Sequence, residues 1–346
     1  MSNILIFGAG SMGTAFSFPC ADNNNAVTIV GTYLEDKFID EINLKNLHPA
    51  LGCELPKNVK FEKFNKLGDL INNKVDLIVL AVVSKGIEWA ANELSKFLKK
   101  DIPILILTKG LALNNNKYEV LAHKLERILK KNGIEKTTIC AAGGPCLAKG
   151  LANRIHTSVI FACSDIKIAK NLAQLISTNY YHIFTTNDVV GVEVCAAIKN
   201  IFAMVIGASE GLCSSSNLKE IKKNNYLNTA ASLIQQSINE MIIFTESLKG
   251  KKETVIGLAG IGDLYVSANG GRNSKMGKFL GEGLTFQDAK KNKMPFETIE
   301  GADLVLTIGN KVKKDFNVKK LPLMFGIINT ICDKKPLFVE WNYFLK

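Results

Sequence analysis

A lysine in a helix made of almost nothing polar is the residue of this chain best placed to do chemistry. Val189–Ala208 reads VVGVEVCAAIKNIFAMVIGA, and only Glu193, Lys199 and Asn200 interrupt its apolar and small residues. Rich in Ala, Val and Ile and free of proline, the run predicts a helix apolar nearly all round, hence a buried one. Its length would also cross a bilayer. A lysine near the middle, however, costs about 3 kcal/mol on insertion scales, and the Glu and Asn add to that. A core helix with no membrane span is therefore expected. Inside a protein an unpaired ammonium is expensive, so the group is paired, gives up its proton readily or faces a cavity. A desolvated lysine with a lowered pKa serves as a general acid or base. The alternative is a lysine that snorkels to the surface along its aliphatic stem, and this helix alone leaves both readings open.

Partners for Lys199 lie downstream. Gly257–Asp263 (GLAGIGD) sets three glycines before a carboxylate. Asp263 either pairs with Lys199, holding it charged or poised, or caps a helix. Ser267, four residues on, offers a hydroxyl. Gly270-Gly271-Arg272-Asn273 follows. Of 43 basic residues only Arg127, Arg154 and Arg272 are arginines, which leaves 40 lysines. A guanidinium behind two glycines in such a chain suggests bidentate capture of a phosphate; a surface ion pair is the alternative.

The other chemistry sits in glycine turns. Gly8-Ala9-Gly10-Ser11-Met12-Gly13 is a G-x-G-x-x-G that follows an apolar strand and opens an apolar helix, the context a dinucleotide site requires. Gly8 permits the tight turn, Gly10 lets backbone approach a pyrophosphate, and Gly13 allows close helix–strand packing. The helix start then offers free N–H groups to the diphosphate. At the end of the next strand, Gly31-Thr32-Tyr33 carries neither the acid that often marks NAD nor the Arg that marks NADP. Glu35 and Asp36 come slightly late, so NAD(H) and NADP(H) are both expected to serve, within roughly two orders of magnitude of each other. Lys109, after the strand ending Thr108, reads as an anion contact or as one more solvated lysine. Gly143-Gly144-Pro145-Cys146 makes a backbone concavity that suits an anion or a carbonyl. Cys146 has no His or Asp at a suggestive spacing, which argues against a thiol nucleophile.

These residues need elements to hold them. A chain of 346 residues usually makes two domains. In the first half, short apolar runs (Ile4–Phe7, Val27–Val30, Leu77–Ala81, Ile102–Leu107, Thr138–Ala141) alternate with amphipathic stretches such as Ile87–Lys99 and Lys117–Lys131. That alternation predicts a parallel sheet with crossover helices. Thr157–Ala162 and His182–Thr185 read as two further strands at the sheet edge. After Asp188 helical periodicity dominates, in Leu227–Leu248, Phe286–Lys293, Ala302–Val312 and Leu323–Cys332. The expected architecture is α/β: a Rossmann-type parallel-sheet domain over 1–188, then an all-α domain over 189–346. The polar stretch Cys213–Asn224 is expected to be an exposed loop or a frayed helix start. Net charge is +11, but no basic run carries interleaved aromatics, so no nucleic acid is expected; a positive field attracts a small phosphorylated anion instead. Eight cysteines without a C-x-x-C pair, and an N-terminus without a signal, predict reduced thiols in the cytoplasm. Four scattered histidines predict no metal site.

Taken in order, GAGSMGTA at the start, LTKGL at 107–111, GGPCLAKGLANRIHTSVIF at 143–161, TTNDVVGVEVCAAIKN at 185–200, GLAGIGDL at 257–264, GGRN at 270–273 and IEGA at 299–302 resemble the NAD(P)-dependent glycerol-3-phosphate dehydrogenase family. The resemblance implies NAD(H) or NADP(H) as cofactor and a small phosphorylated substrate, and allows a homodimer. It implies that Lys199 is the catalytic acid/base, with Asn200 beside it and Asp263 as its partner. Lys109, Ser267, Arg272 and Asn273 fall on substrate-contacting positions, with Gly144 in the loop that lines the substrate. Ser11, Met12, Ala148, Arg272 and Glu300 fall on cofactor-contacting positions, joined there by Gly8, Gly10, Gly13, Thr32 and Lys109. Cys146 departs from the Ser or Thr usual after Gly-Pro, and Thr32 from the common Arg. A β-hydroxyacid-type dehydrogenase with an interdomain lysine, and a redox sensor that binds dinucleotide without turnover, are the competing readings.

Overall fold

The computed structural model describes residues 1–72, 74–214 and 226–344. All but Cys213 and Ser214 of the polar stretch Cys213–Asn224 lies outside the described residues. Ten strands run in chain order: β1 (Asn3–Phe7), β2 (Ala26–Val30), β3 (Val59–Glu62), β4 (Leu77–Leu80), β5 (Ile104–Ile106), β6 (Leu111–Asn114), β7 (Lys117–Val120), β8 (Ile139–Gly143), β9 (Thr157–Cys163) and β10 (Tyr181–Thr186). Two compact units result: Met1–Lys109 with Val120–Glu193, and Gly110–Glu119 with Val194–Lys346. The single expected cut at Asp188 differs from this division by the Gly110–Glu119 hairpin and by the first turn of the Val189–Ser214 helix.

In the first unit eight strands form one sheet in the order β10-β9-β8-β5-β4-β1-β2-β3. The six from β3 to β8 are parallel, while β8 and β9 pair antiparallel and β10 runs parallel to β9. Alternation along β1 explains why both faces are covered. Ile4 and Ile6 point into one core with Phe16 and Ile29, whereas Leu5 and Phe7 point into another with Ile87 and Leu94. A parallel sheet buried on both faces reads as continuous apolar runs, which is how β1, β4 and β5 read. The order reverses direction beside β1, so ligands belong at the carboxyl ends of β1 and β4.

Lys117–Lys131 is not one amphipathic helix: Lys117–Val120 is β7, paired with β6, and the helix begins at Leu121. The turn explains it. Asn115 and Asn116 both take positive φ, at 47° and 57°, as a two-residue hairpin turn demands, and Asn tolerates that region. The hairpin belongs to the second unit, where the Tyr118 ring meets Phe244 edge-on at 5.4 Å and carries the Lys311 ammonium over its face at 5.0 Å.

The Val189–Ser214 helix starts on Asp188, whose carboxylate accepts the Gly191 N–H at 2.9 Å. Of its most apolar 18-residue window, 89% is buried inside the protein, as suits a core helix. In the second unit this helix packs backbone to backbone on the Arg272–Gly281 helix. A Cβ on Gly207 would lie 2.1 Å from the Ser274 carbonyl oxygen, and one on Gly211 2.1 Å from that of Lys278. From the other side, a Cβ on Gly277 would lie 1.9 Å from the Met204 oxygen and one on Gly281 2.3 Å from that of Ala208. Two glycine pairs spaced by four residues thus replace side-chain packing with direct backbone contact.

Two buried glutamates supply what helix starts lack. The Leu121–Lys131 helix has no side-chain cap of its own, and Glu193 Oε2 accepts the Ala122 N–H at 2.9 Å. The Pro322–Cys332 helix has none either, and Glu240 accepts the Leu323 and Met324 N–H groups at 2.8 and 2.9 Å. Burial pushes both carboxyls up to about 8, with the backbone N–H groups opposing. Glu193 Oε1 has no hydrogen-bond partner among the described residues. Above its ordinary value of 4.5 the unfolded chain releases this proton while the folded chain keeps it, so stability falls as pH rises, by about 1 kcal/mol per pH unit from this group. Glu193→Gln keeps an acceptor for Ala122 and cannot ionise. Urea unfolding at pH 6 and pH 8 should show a shallower loss in the variant; parallel losses would mean that Glu193 is charged throughout.

Candidate active site

Lys199 sits on the buried stripe of its helix at 5% exposure, and Asp263 is 2% exposed. The Lys199 ammonium donates directly to Asp263 Oδ1. Asp263 arrives there because Leu258–Gly262 forms one wide helical turn, from which the carboxylate opens the Asp263–Ala268 helix. The glycines make that turn feasible: a Cβ on Gly260 would lie 1.9 Å from the Val255 carbonyl oxygen. Of the two openings left by the sequence, the pair is the one realised. Both groups are buried, so removing one partner leaves the charge of the other desolvated. A proton held this way is kept from bulk solvent and presented at a fixed point.

A second constellation lies in the same unit. Gly270 has φ of +99° and lets the chain reverse, so that Arg272 becomes the first residue of the Arg272–Gly281 helix. Arg272 Nη2 donates to Glu300 Oε1. Asn273 bridges onward: its Nδ2 reaches Glu300 Oε2 at 3.5 Å and its Oδ1 accepts the Gly301 N–H at 2.9 Å. Gly301 is close to Asn200 as well, since a Cβ there would lie 2.6 Å from the Asn200 carbonyl oxygen. Arg272, Asn273, Glu300 and Asn200 are therefore one connected group. Ser267 is half-buried on the Asp263–Ala268 helix, and its carbonyl oxygen lies 2.9 Å from where a Gly271 Cβ would be.

The first unit holds the glycine loop. Gly8 has φ of +114°, and a Cβ there would meet the Ala81 oxygen at 2.8 Å. A Cβ on Gly13 would meet the Gly8 oxygen at 2.4 Å, which sets the helix start hard against β1. Gly10 differs: a Cβ there would meet nothing within 4 Å, so its backbone borders open space. The Ser11–Asp22 helix begins at Gly10 with no side-chain cap. Uncapped N–H groups beside an open glycine are what a diphosphate needs, so these residues fit a dinucleotide. Met12, Lys109, Gly144 and Cys146 line one small pocket backed by Phe16 and Tyr181. Burial holds the Tyr181 hydroxyl well above its ordinary value, so it stays a neutral wall. Ala148 is half-buried and opens the short Ala148–Ala152 helix. Thr32 donates its N–H to Glu35 Oε2 at 2.7 Å.

Glu35, set aside in the sequence as slightly late, joins residues that the sequence did not single out for these roles: the capping glutamates and the glycine pairs 207/211 and 277/281. The glycine pairs had a signal in their spacing of four; the glutamates had none, since what they cap is distant in the chain. Among the described residues no group of three or more His, Cys, Asp or Glu side chains is gathered for a metal ion.

The chain is similar to known proteins along most of its length. Residues 3–169 match the family described as NAD-dependent glycerol-3-phosphate dehydrogenase N-terminus, and residues 188–338 match its C-terminus. The chain is 30% identical over 317 residues to the NADP(+)-dependent glycerol-3-phosphate dehydrogenase of Archaeoglobus fulgidus, covering 90% of this chain and 91% of that protein. It is 30% identical over 348 residues to the glycerol-3-phosphate dehydrogenase [NAD(P)+] of Mesoplasma florum, covering 99% and 97%. Among solved structures its fold resembles the glycerol-3-phosphate dehydrogenase of Coxiella burnetii, with a TM-score of 0.79 at 24% identity, covering 97% of this chain and 96% of that one.

Proposed function

The chain belongs to the NAD-dependent glycerol-3-phosphate dehydrogenase family, and from that membership we propose how its own residues carry the reaction. It is an oxidoreductase that interconverts dihydroxyacetone phosphate and sn-glycerol 3-phosphate with NAD(H) or NADP(H). Bound nicotinamide supplies or accepts the hydride. Lys199 Nζ gives its proton to the substrate carbonyl oxygen as that oxygen gains negative charge, and takes it back in the oxidative direction. Asp263 Oδ1 aims the ammonium. Asn200, next to Lys199, and Ser267 position the substrate hydroxyls. Arg272 and Asn273 hold the phosphate, a group remote from the reacting carbon whose binding energy supplies orientation. Glu300 keeps the Arg272 fork in place when no phosphate is bound. In the first unit Gly8, Gly10, Ser11, Met12 and Gly13 cradle the diphosphate, while Thr32 and Ala148 flank the dinucleotide. Lys109 and Gly144, which line one pocket of that unit, contact the substrate.

The observation that carries this reading is the buried Lys199–Asp263 pair. A dinucleotide sensor has no use for a charge pair desolvated at such cost. We assign residues 1–188 to dinucleotide binding and 189–346 to substrate binding and catalysis. We place the chain in the cytoplasm, with no membrane span, and as a homodimer. The test is oxidation of each reduced cofactor by dihydroxyacetone phosphate, against a panel of unphosphorylated small ketones and 2-keto acids. Turnover confined to the phosphorylated ketone supports the assignment; turnover of a keto acid alone removes it.

A further inference from the structure

The end of β2 carries a carboxylate that the sequence order places too late and the fold brings back. Thr32–Glu35 is a tight turn closed by the Glu35 N–H to the Thr32 carbonyl at 2.9 Å. The turn returns the Glu35 side chain to the strand end. There Oε2 accepts the Thr32 N–H at 2.7 Å and the Ala9 N–H, inside the glycine loop, at 3.3 Å. The side chain is thus pinned between the end of β2 and the Gly8–Gly10 loop, with Oε1 left to accept from a ligand hydroxyl. No cation shares the turn: Gly31, Thr32, Tyr33 and Leu34 are all uncharged. His48 is buried nearby, and burial holds it below its ordinary value despite the charge of Glu35, so no imidazolium offsets the carboxylate at neutral pH.

We propose that Glu35 selects NAD(H) over NADP(H), by accepting the adenosine ribose 2′-hydroxyl and repelling a 2′-phosphate. An acid at this point of a Rossmann unit bonds that hydroxyl, whereas NADP sites place an Arg there. A carboxylate already bound by two backbone N–H groups cannot swing aside cheaply to admit a phosphate dianion, because both N–H groups would lose a charged acceptor. The inference rests on the dinucleotide-binding reading of the glycine loop and narrows it. It gives a direction to the use of both cofactors, within roughly two orders of magnitude of each other, that is expected from the sequence, where the turn that returns Glu35 is not visible.

The test is binding rather than turnover. Calorimetry on the whole protein would compare NADH with NADPH, and ADP-ribose with 2′-phospho-ADP-ribose. The wild type should favour the unphosphorylated member of each pair by about 100-fold or more. Glu35→Gln removes the charge, and the gap should narrow about tenfold or more, mainly because the phosphorylated ligands gain. A second measurement needs no variant: 2′-deoxy-ADP-ribose should bind the wild type roughly tenfold more weakly than ADP-ribose. Equal or tighter binding of NADPH by the wild type, a gap unchanged in Glu35→Gln, or no loss with the 2′-deoxy ligand would each overturn the assignment. Failure of every dinucleotide to bind would instead overturn the reading of the glycine loop itself.

Discussion

Lys199→Met should lower kcat by about 10²-fold or more while leaving dinucleotide affinity near the wild-type value. The split follows from where the residue sits. The glycine loop to which dinucleotide binding is assigned above is in the first unit, whereas Lys199 pairs with Asp263 in the second. Methionine matches the stem of lysine in length, so packing along the helix survives. The charge balance does not survive, because Asp263 is left buried without its cation, at a cost on the order of 3 kcal/mol or more. The single variant should therefore melt lower as well as turn over slowly. Lys199→Met with Asp263→Asn removes both charges together. That double variant should recover most of the lost melting temperature and none of the lost kcat. Near-normal turnover in either variant would remove Lys199 as the acid, whereas turnover returning with stability would reduce the pair to a structural one.

That coupling between stability and chemistry is invisible in the residues themselves. Lys199 stood out because a charge interrupts an apolar helix, and Asp263 because glycines precede it, but nothing in the intervening 63 positions says that they touch. The sheet was more legible. Apolar runs mark β1, β4 and β5 because both of their faces are buried, and G-x-G-x-x-G fixes where the first crossover begins. β3 escaped notice because Lys60 and Glu62 punctuate its four residues; an edge strand needs only one apolar face. The β6–β7 hairpin was hidden by its neighbour: Tyr118 and Val120 continue the apolar spacing of the Leu121–Lys131 helix, and the hairpin is marked only by the positive φ of Asn115 and Asn116 in the turn between its two strands. Glu35 was set aside for a related reason. Distance along the chain measured it as too late, and a turn of four residues cancelled the delay.

Arg272→Lys should cost on the order of 2 kcal/mol in kcat/KM with dihydroxyacetone phosphate. Lysine keeps the positive charge but loses the paired N–H geometry that matches two phosphate oxygens. The side chain is 54% exposed and its partner Glu300 42%, so this ion pair adds little stability of its own, and the variant should fold normally. Exposure also leaves the guanidinium free to exchange Glu300 for an anion, with Asn273 holding Glu300 from its other oxygen. Unphosphorylated dihydroxyacetone has nothing for the fork to grip. Its kcat/KM should fall much less, and the ratio of the two losses is the measurement that decides. A tenfold or larger difference assigns the fork to the substrate phosphate. Equal losses would move Arg272 to the cofactor or to the fold, and phosphate recognition would then pass to Lys109, the lysine that lines the pocket beside Met12 and Gly144.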